Sequence, residues 1–323
     1  MRILLITRGL PGSGKSTWIK DNNLKEYTIC PDDIRLLYNA PEITIDGETA
    51  ICQDNNKLVW KTVFDILETR MKTGEFTIVD ATHSAAKEIN KYKNLCKENR
   101  YRAYIMDFTN IPIDVCKERN KTRESYKIVP DEVIDKFDKN LKEETVPSWI
   151  KIISTDEFHS VVEYNPINFS HYKKIHHIGD IHGCYTALKS YLNEIKEDEL
   201  YIFVGDYIDR GKENVETLKF LMNIKDLPNV ILLEGNHERW INYYAHNKEV
   251  PSQEFKDITA KEFDEAGLNK ALLSMFYKKL AQVVYYKYDN KYVLVTHGGV
   301  SSNINPIYIS SKQLIHGVGK YED

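Results

Sequence analysis

The hydrophobic pattern of the first half alternates between two periods. Apolar or β-branched runs of strand length, "ILLIT" (3–7), "YTIC" (27–30), "FTIVD" (76–80) and "AYIMDF" (103–108), are separated by helix-patterned stretches at 15–22, roughly 50–72 and 85–98. That alternation predicts βαβ units and a parallel sheet flanked by helices. "IPIDVCKERNKTR" and "VPDEVIDKFDKNL" read as further helices, the second with Pro130 and Asp131 at its start. From about 143 to 172 the pattern degrades, with Pro147, Pro166 and several Asn and Ser residues marking loops, although "WIKIIST" has the form of one more strand.

The pattern restarts with strand-like "KIHHIGD", "LYIFVGD" and "NVILLEGN", alternating with helical "ALKSYLNEI" and "VETLKFLMNI". A helix-rich stretch covers 252–282, and "VVYYKYDNKYVLVTH" reads as a hairpin turning at Asp289 and Asn290. The expected organisation is a first domain over 1–155, a linker over 156–172 and a second domain over 173–323, with no internal repeat and no low-complexity tract. The fold class is α/β throughout, with a parallel sheet first and mixed sheets second.

A length of 323 residues agrees with about two domains. With 42% hydrophobic and 28% charged residues, ordinary buried cores are within reach. The net charge of −4 argues against a basic protein that coats nucleic acid, but it leaves a local basic groove open. The 21 tyrosines read as half-buried packing rather than stacking platforms. Cys30, Cys52, Cys96, Cys116 and Cys184 form no CxxC pair, and their odd number and wide spacing argue against a disulfide framework or zinc knuckle and suit a reducing compartment. The opening "MRILLIT" is too short for a signal peptide and no later run reaches membrane-spanning length. The expectation is a soluble, cytoplasmic protein with no membrane partner.

"GLPGSGKST" (9–17) fits G-x-x-x-x-G-K-[ST], with a strand before it and a helix after it. Gly9, Gly12, Ser13, Gly14, Lys15, Ser16 and Thr17 therefore form a candidate ATP phosphate cradle. Lys15 would reach the β and γ phosphates and Ser16 would ligate Mg²⁺. Past the second strand, "PDDIR" (31–35) supports two readings. Asp32 is a base for an acceptor hydroxyl with Arg35 on the acceptor's own phosphate, or Asp32 caps a helix and Asp33 feeds its first turn. Asp80 in "VDATH" sits near Mg²⁺ or the acceptor, or caps the next helix. Arg119 and Arg123, at i and i+4, form a lid over the transferring phosphoryl or a solvated charged face.

"GLPGSGKSTW", "PDDIR", "DATH" and "ERNKTR" followed by "VP" together resemble the 5′-hydroxyl polynucleotide kinase domain of phage and bacterial RNA-repair enzymes, over about residues 1–145. The resemblance implies Asp32 as general base, Arg35 on the phosphate beside the acceptor hydroxyl and Arg123 as the lid arginine.

The second half carries four clusters, each directly after a strand-like run: "GDIHG" (179–183), "GDYIDRG" (205–211), "GNHE" (235–238) and "THGG" (296–299). A sheet would present them at one edge on loops shaped by glycine. Mixed Asp, His and Asn ligands suit two divalent ions such as Mn²⁺ or Fe, which activate a water and clamp a phosphoryl group in displacement. The set resembles the calcineurin-like metallophosphoesterases over about residues 174–300. By that likeness Asp180, His182 and Asp206 hold one metal with Asp206 bridging, and Asn236 and His297 help hold the other. His237, oriented by Asp209, is the general acid, and Arg210 binds the substrate phosphate. The family's further metal histidine after HGG has no counterpart at its usual place. His316, His246, a C-terminally shortened chain or a weakened second site are the alternatives.

A kinase joined to a phosphatase makes chemical sense on nucleic-acid ends. Many ribonucleases leave a 5′-OH and a 2′,3′-cyclic phosphate or 3′-phosphate, whereas ligation needs a 5′-phosphate and a 3′-OH. The resemblance implies end healing, with RNA favoured over DNA and a separate ligase as partner. The rivals are a signalling or nucleotide-metabolism phosphatase fused to a small-molecule kinase or ATP switch, and a non-catalytic nucleic-acid-binding module.

Overall fold

A computed structural model describes residues 2–45, 47–302 and 305–319. The chain divides into two compact units, one of Met1–Glu163 with Pro306–Ser310 and one of Tyr164–Asn305 with Ser311–Asp323.

In the first unit the strands are β1 (Ile3–Arg8), β2 (Thr28–Ile29), β3 (Glu42–Ile43), β4 (Thr49–Ala50), β5 (Thr77–Val79), β6 (Arg102–Asp107) and β7 (Lys151–Ile153). The helices are α1 (Lys15–Asp21), α2 (Pro31–Tyr38), α3 (Asn56–Thr73), α4 (Ala86–Asn90), α5 (Lys93–Glu98), α6 (Ile113–Lys121), α7 (Asp131–Glu143) and α8 (Phe158–Val162). Five strands form a parallel sheet in the order β2-β5-β1-β6-β7. Every residue of central β1 is buried, because helices cover both sheet faces and leave no polar side for the strand. Leu4, Ile6, Val59, Val63 and Leu67 fill one core, and Ile3, Leu5, Ile19, Phe76 and Phe158 the other.

The stretch expected as one helix over 85–98 is two short ones, α4 and α5. The hairpin β3–β4 had no hydrophobic period to announce it; its strands are two residues each. The segment expected as a linker, 156–172, contains α8, whose Phe158 and Val162 are buried in the first unit, and β8 (Ile167–Asn168), which pairs in the second.

The second unit continues with β9 (Lys174–Ile178), β10 (Glu199–Phe203), β11 (Val230–Leu232), β12 (Val284–Tyr288) and β13 (Lys291–Val295). Its helices are α9 (Tyr185–Tyr191), α10 (Asn214–Ile224), α11 (Glu238–Ala245), α12 (Ala260–Glu265), α13 (Lys270–Lys279) and α14 (Ser311–His316). A parallel sheet runs β11-β10-β9, and a mixed sheet runs β13-β12-β8 with β12 and β13 antiparallel. The hairpin turns at Asp289, which takes φ 50°, a left-handed value that Asp tolerates in tight turns. A π-helical turn, Phe255–Thr259, precedes α12. No helix among the described residues is long and apolar enough to cross a membrane.

Candidate active sites

The first site lies at the C-terminal edge of the five-stranded sheet. β1 ends at Arg8 and the chain turns through Gly9–Gly14 into α1. Gly12 has φ 81°, and a Cβ there would come within 2.2 Å of the Cys116 carbonyl oxygen on α6, so the loop is shaped by a residue without a side chain. Lys15 is buried and turns back on the loop, with Nζ donating to Gly9 O at 2.8 Å and Leu10 O at 2.7 Å. Burial lowers its pKa, opposed by Asp80 and Asp32 and reinforced by Arg123. Ser13 Oγ is buried without a hydrogen-bond partner, a polar atom aimed at no protein group in a loop of this shape. Thr17 is exposed in the first turn of α1.

Asp80 follows β5, the neighbour of β1. Thr7 Oγ1 donates to its Oδ1 at 2.9 Å and Ser16 Oγ to its Oδ2 at 2.7 Å. The Asp80–Ser16 pair fits a Mg²⁺ bound with ATP phosphates, since a hydroxyl and a carboxylate oxygen are hard ligands. Of the open alternatives, capping of the next helix by Asp80 is excluded: the N-cap of α4 is Ala85.

The same holds for Asp32. The N-cap of α2 is Cys30, extended at φ −112°, with no side-chain cap, and Pro31 takes the first helical position. Asp32 instead accepts from Arg35 Nη1 at 2.8 Å, and Arg35 Nη2 donates to Asn56 Oδ1 at 2.6 Å. Asp32 is half-exposed, while Arg35 is nearly covered and its Nε has no partner.

Arg123 is half-buried, and its charge acts on Lys15. Arg119 stands over Gly14: a Cβ on that glycine would meet Arg119 Nη1 at 4.0 Å. The loop after α6 is closed by Asn120, whose Nδ2 donates to Val129 O at 2.7 Å and whose Oδ1 accepts from Val129 N at 3.1 Å. His83, from the "DATH" stretch, is a core residue bonded to Thr7 O and Tyr92 OH.

In the second unit, the loops after β9, β10, β11 and β13 carry the four clusters. Asp180, His182, Asp206, Asp209 and Arg210 all have positive φ, between 45° and 71°, a left-handed backbone that non-glycine residues adopt at a cost. Gly205 has φ 102°, and a Cβ on it would come within 2.6 Å of Gly235 N. The β10 and β11 loops can therefore touch only through glycine.

Two groups of candidate ligand atoms converge, each within 4.8 Å: His182, Asp206 and His237, and Asp180, Asp206 and His297. Asp206 is common to both. The imidazoles of His182 and His297 are each tied through Nδ1 to a backbone carbonyl, Ile208 O at 3.0 Å and Val204 O at 2.9 Å, which directs Nε2 inward. His297 Nε2 lies 3.1 Å from Asn236 Oδ1 and 3.4 Å from Asp206 Oδ1. His182 Nε2 is buried with no hydrogen-bond partner. That orphan, aimed at a carboxylate shared by two groups of N and O donors, fits a pair of divalent ions.

His237 Nδ1 bonds Asp209 Oδ2 at 2.6 Å, and its Nε2 is 3.8 Å from Asp206. Burial pushes its pKa down, but Asp209 and Asp206 reverse this and hold it above the ordinary value. Burial would raise the Asp206 carboxyl; hydrogen bonding and charge from His297 and His237 leave it depressed instead. Arg210 is exposed at the rim. A cleft of about 530 Å³, lined by His177 and the β13 loop, opens beside His297.

Residues 173–320 match the calcineurin-like phosphoesterase family and residues 4–143 the AAA domain family. The chain is an AAA-type P-loop domain followed by a calcineurin-like phosphoesterase domain. Serine/threonine-protein phosphatase 2 of Salmonella typhimurium is 43% identical over 81 residues, 24% of this chain and 35% of its own. The symmetrical bis(5′-nucleosyl)-tetraphosphatase of Ectopseudomonas mendocina is 31% identical over 130 residues, 39% of this chain and 44% of its own. The chain thus spans well under two thirds of either relative. The solved Pnkp1/Rnl/Hen1 RNA repair complex aligns with 83% of this chain and 86% of its own at 16% identity and a TM-score of 0.37.

Sequence reasoning passed over two residues of the phosphoesterase domain. Thr259 Oγ1, from the π-helical turn, donates to Asp209 Oδ1, so both oxygens of that carboxylate are engaged. Glu238, the last letter of "GNHE", is fully buried and accepts from the backbone N–H of Asp206 at 2.9 Å, Tyr207 at 2.8 Å and Gly235 at 2.7 Å. Burial pushes its carboxyl up to about 7. Glu238 lies within a motif visible in the sequence, whereas nothing local marks Thr259. His246, an alternative ligand, bonds Asn242 O at 2.8 Å and belongs to neither group. His316 belongs to neither group, although burial, Arg239, Lys312 and His297 lower its pKa.

Proposed function

We propose that this chain heals broken RNA ends, phosphorylating a 5′-OH with ATP and removing a 3′-phosphate or 2′,3′-cyclic phosphate. The observation that carries the reading is the Asp32–Arg35 pair at the end of β2, close enough for Asp32 to act on Lys15 in the phosphate loop. A phosphate-transfer site with an adjacent base and guanidinium suits an acceptor that has a hydroxyl and its own phosphate, as a 5′ nucleotide does. The 5′ oxygen attacks the γ phosphorus and the bond to the ADP oxygen breaks. Asp32 takes the hydroxyl proton. Lys15 leaves the Gly9 and Leu10 carbonyls for the phosphates, and Arg35 exchanges Asp32 for the acceptor phosphate. Arg123 covers the transferring group.

In the phosphoesterase domain two divalent ions, when bound, would supply an activated water and a clamp for the phosphoryl oxygens. By the family likeness Asp180, His182 and Asp206 would hold one ion, and Asp206, Asn236 and His297 the other, although Asp180 clusters here with His297 and His182 with His237. His237 Nε2 donates its proton to the departing 3′ oxygen as the P–O bond breaks, and Asp209 holds the imidazolium in place. Arg210 receives the substrate phosphate. The two products, a 5′-phosphate and a 3′-OH, are the ends a separate ligase joins.

The test is one incubation with Mg-ATP, Mn²⁺ and an oligonucleotide bearing a 5′-OH and a 3′-phosphate, both ends scored by mass. Phosphate gained at one end and lost at the other is expected; an unchanged 5′ end sinks the kinase assignment and an unchanged 3′ end the phosphatase one. The similarity to a dinucleoside tetraphosphatase favours a second reading for the phosphoesterase domain alone. Cleavage of diadenosine tetraphosphate faster than 3′-dephosphorylation would select it.

A further inference from the structure

The active sites leave one built surface of the P-loop domain unused. At the N-terminal ends of β6 and β7, opposite the phosphate loop, lies a shallow cleft of about 430 Å³. Lys93 and Lys97, one turn apart on α5, line it together with Arg102 and Lys151, and all four are exposed. Half-buried Trp149 and Tyr104 line it as well, and none of the lining residues is acidic. Lys61, Lys72 and Lys142, exposed elsewhere on this domain, are paired with Asp65, Glu68 and Asp138. Lys93, Lys97 and Lys151 make no such pair among the described residues. Glu157 feels the Lys151 charge only weakly beside its own bond to Ser154 N at 2.8 Å. The indole of Trp149 is pinned by its N–H to Asn90 Oδ1 at 3.0 Å, which fixes the ring as a wall.

In a chain of net charge −4, an acid-free lining with three unpaired lysines beside a fixed indole selects a ligand with spaced negative charges and flat faces. An acidic peptide offers the charge without the faces. We infer that this cleft holds the backbone of a single-stranded nucleic acid, several nucleotides in from the end treated at the phosphate loop, with a base against Trp149. The inference rests on the reading of the P-loop domain as one that acts on polynucleotide ends.

Geometry sets a length requirement. β1, β6 and β7 are parallel, so the six residues of β6 put the cleft about 20 Å from the phosphate-loop edge. A stacked strand advances about 3.4 Å per nucleotide, so roughly six nucleotides span the two. A shorter strand reaches only the phosphate loop.

The full chain is titrated into 3′-labelled, 5′-OH single strands of about 20 and about 4 nucleotides, with anisotropy read at several salt concentrations. The triple variant K93E/K97E/K151E is compared with the wild type, with neutral K93Q/K97Q/K151Q, and with K61E/K72E/K142E, which carries the same charge change elsewhere. For the long strand, K93E/K97E/K151E is expected to weaken binding tenfold or more, and the slope of log K against log salt to fall by about two. Neutral K93Q/K97Q/K151Q gives an intermediate loss and K61E/K72E/K142E a small one. Binding of the short strand, KM for ATP and Tm stay as in the wild type. Unchanged long-strand binding in K93E/K97E/K151E, equal loss in K61E/K72E/K142E, or no binding by the wild type overturns the inference. Polyglutamate binding the cleft more tightly than the strand reassigns it to a protein partner and also overturns it. Cleft-dependent binding without any 5′ phosphorylation defeats the kinase reading and leaves the cleft standing. Phosphorylation at the same KM for both lengths, unaffected by K93E/K97E/K151E, defeats the cleft and leaves the kinase standing.

Discussion

The two sites hold their charges in opposite ways. In the P-loop domain Lys15 is already engaged by the Gly9 and Leu10 carbonyls, and the Nη atoms of Arg35 by Asp32 and Asn56. In the phosphoesterase domain the histidines are fixed from behind by carbonyls, and His182 Nε2 points inward with nothing to meet. The first site must exchange internal hydrogen bonds for ligand ones, so its side chains move on binding. The second is preset, its backbone held in left-handed conformations by glycine contacts and by Glu238. Mobile phosphate substrates suit the first arrangement, and small ions with strict distances suit the second.

The contrast is most exposed to Asp206. Because both ligand groups share it, Asp206→Asn is expected to cut 3′-dephosphorylation by about 10³-fold or more, while 5′ phosphorylation persists. Metal content and both end assays check this, and a mild loss would mean that the two groups are not one site. Next in size, Lys15→Met should lower phosphoryl transfer by roughly 10²–10³-fold and leave the phosphoesterase activity intact.

Smaller effects sharpen the picture of a preset site. Thr259→Val frees one oxygen of Asp209, and a loss of about 10-fold in kcat is expected, with Thr259→Ser restoring it. The loss should be larger for an alkyl leaving group than for p-nitrophenyl phosphate, because only the former needs His237 as acid. Asp209→Asn removes the group that raises the His237 pKa. A general acid must be protonated, so activity falls as pH rises through that pKa, and the variant's basic limb should move to lower pH. Smallest is Glu238→Gln, which keeps the shape but turns an amide NH₂ toward backbone N–H donors. It should destabilise the domain by about 1–3 kcal/mol, read as a lower Tm.

Much of this was readable along the chain. The strands β1, β5, β6, β9, β10 and β11 announced themselves as apolar runs, and each motif followed its strand within a few residues. The short pieces escaped: β3 and β4 bury little, and α4 and α5 break at a point without proline or glycine. The choice between cap and base at Asp32 stayed open, because Cys30 as an uncapped N-cap is not a local signal. Nor could spacing reveal that Lys93, Lys97, Arg102 and Lys151 share one cleft, since they come from a helix and two strands.

By itself the sequence determined the periods, the glycine-shaped loops and the kinds of donor at each strand end, because these depend on neighbours within a few residues. Tertiary structure alone decided the partnerships. Ser16 meets Asp80 across 64 residues, His237 meets Asp209 across 28, and Thr259 reaches Asp209 across 50. Hydrogen bonds of that span exist only after parallel strands align their ends, since the loop-closure cost is met by burial of the core rather than by the bond itself.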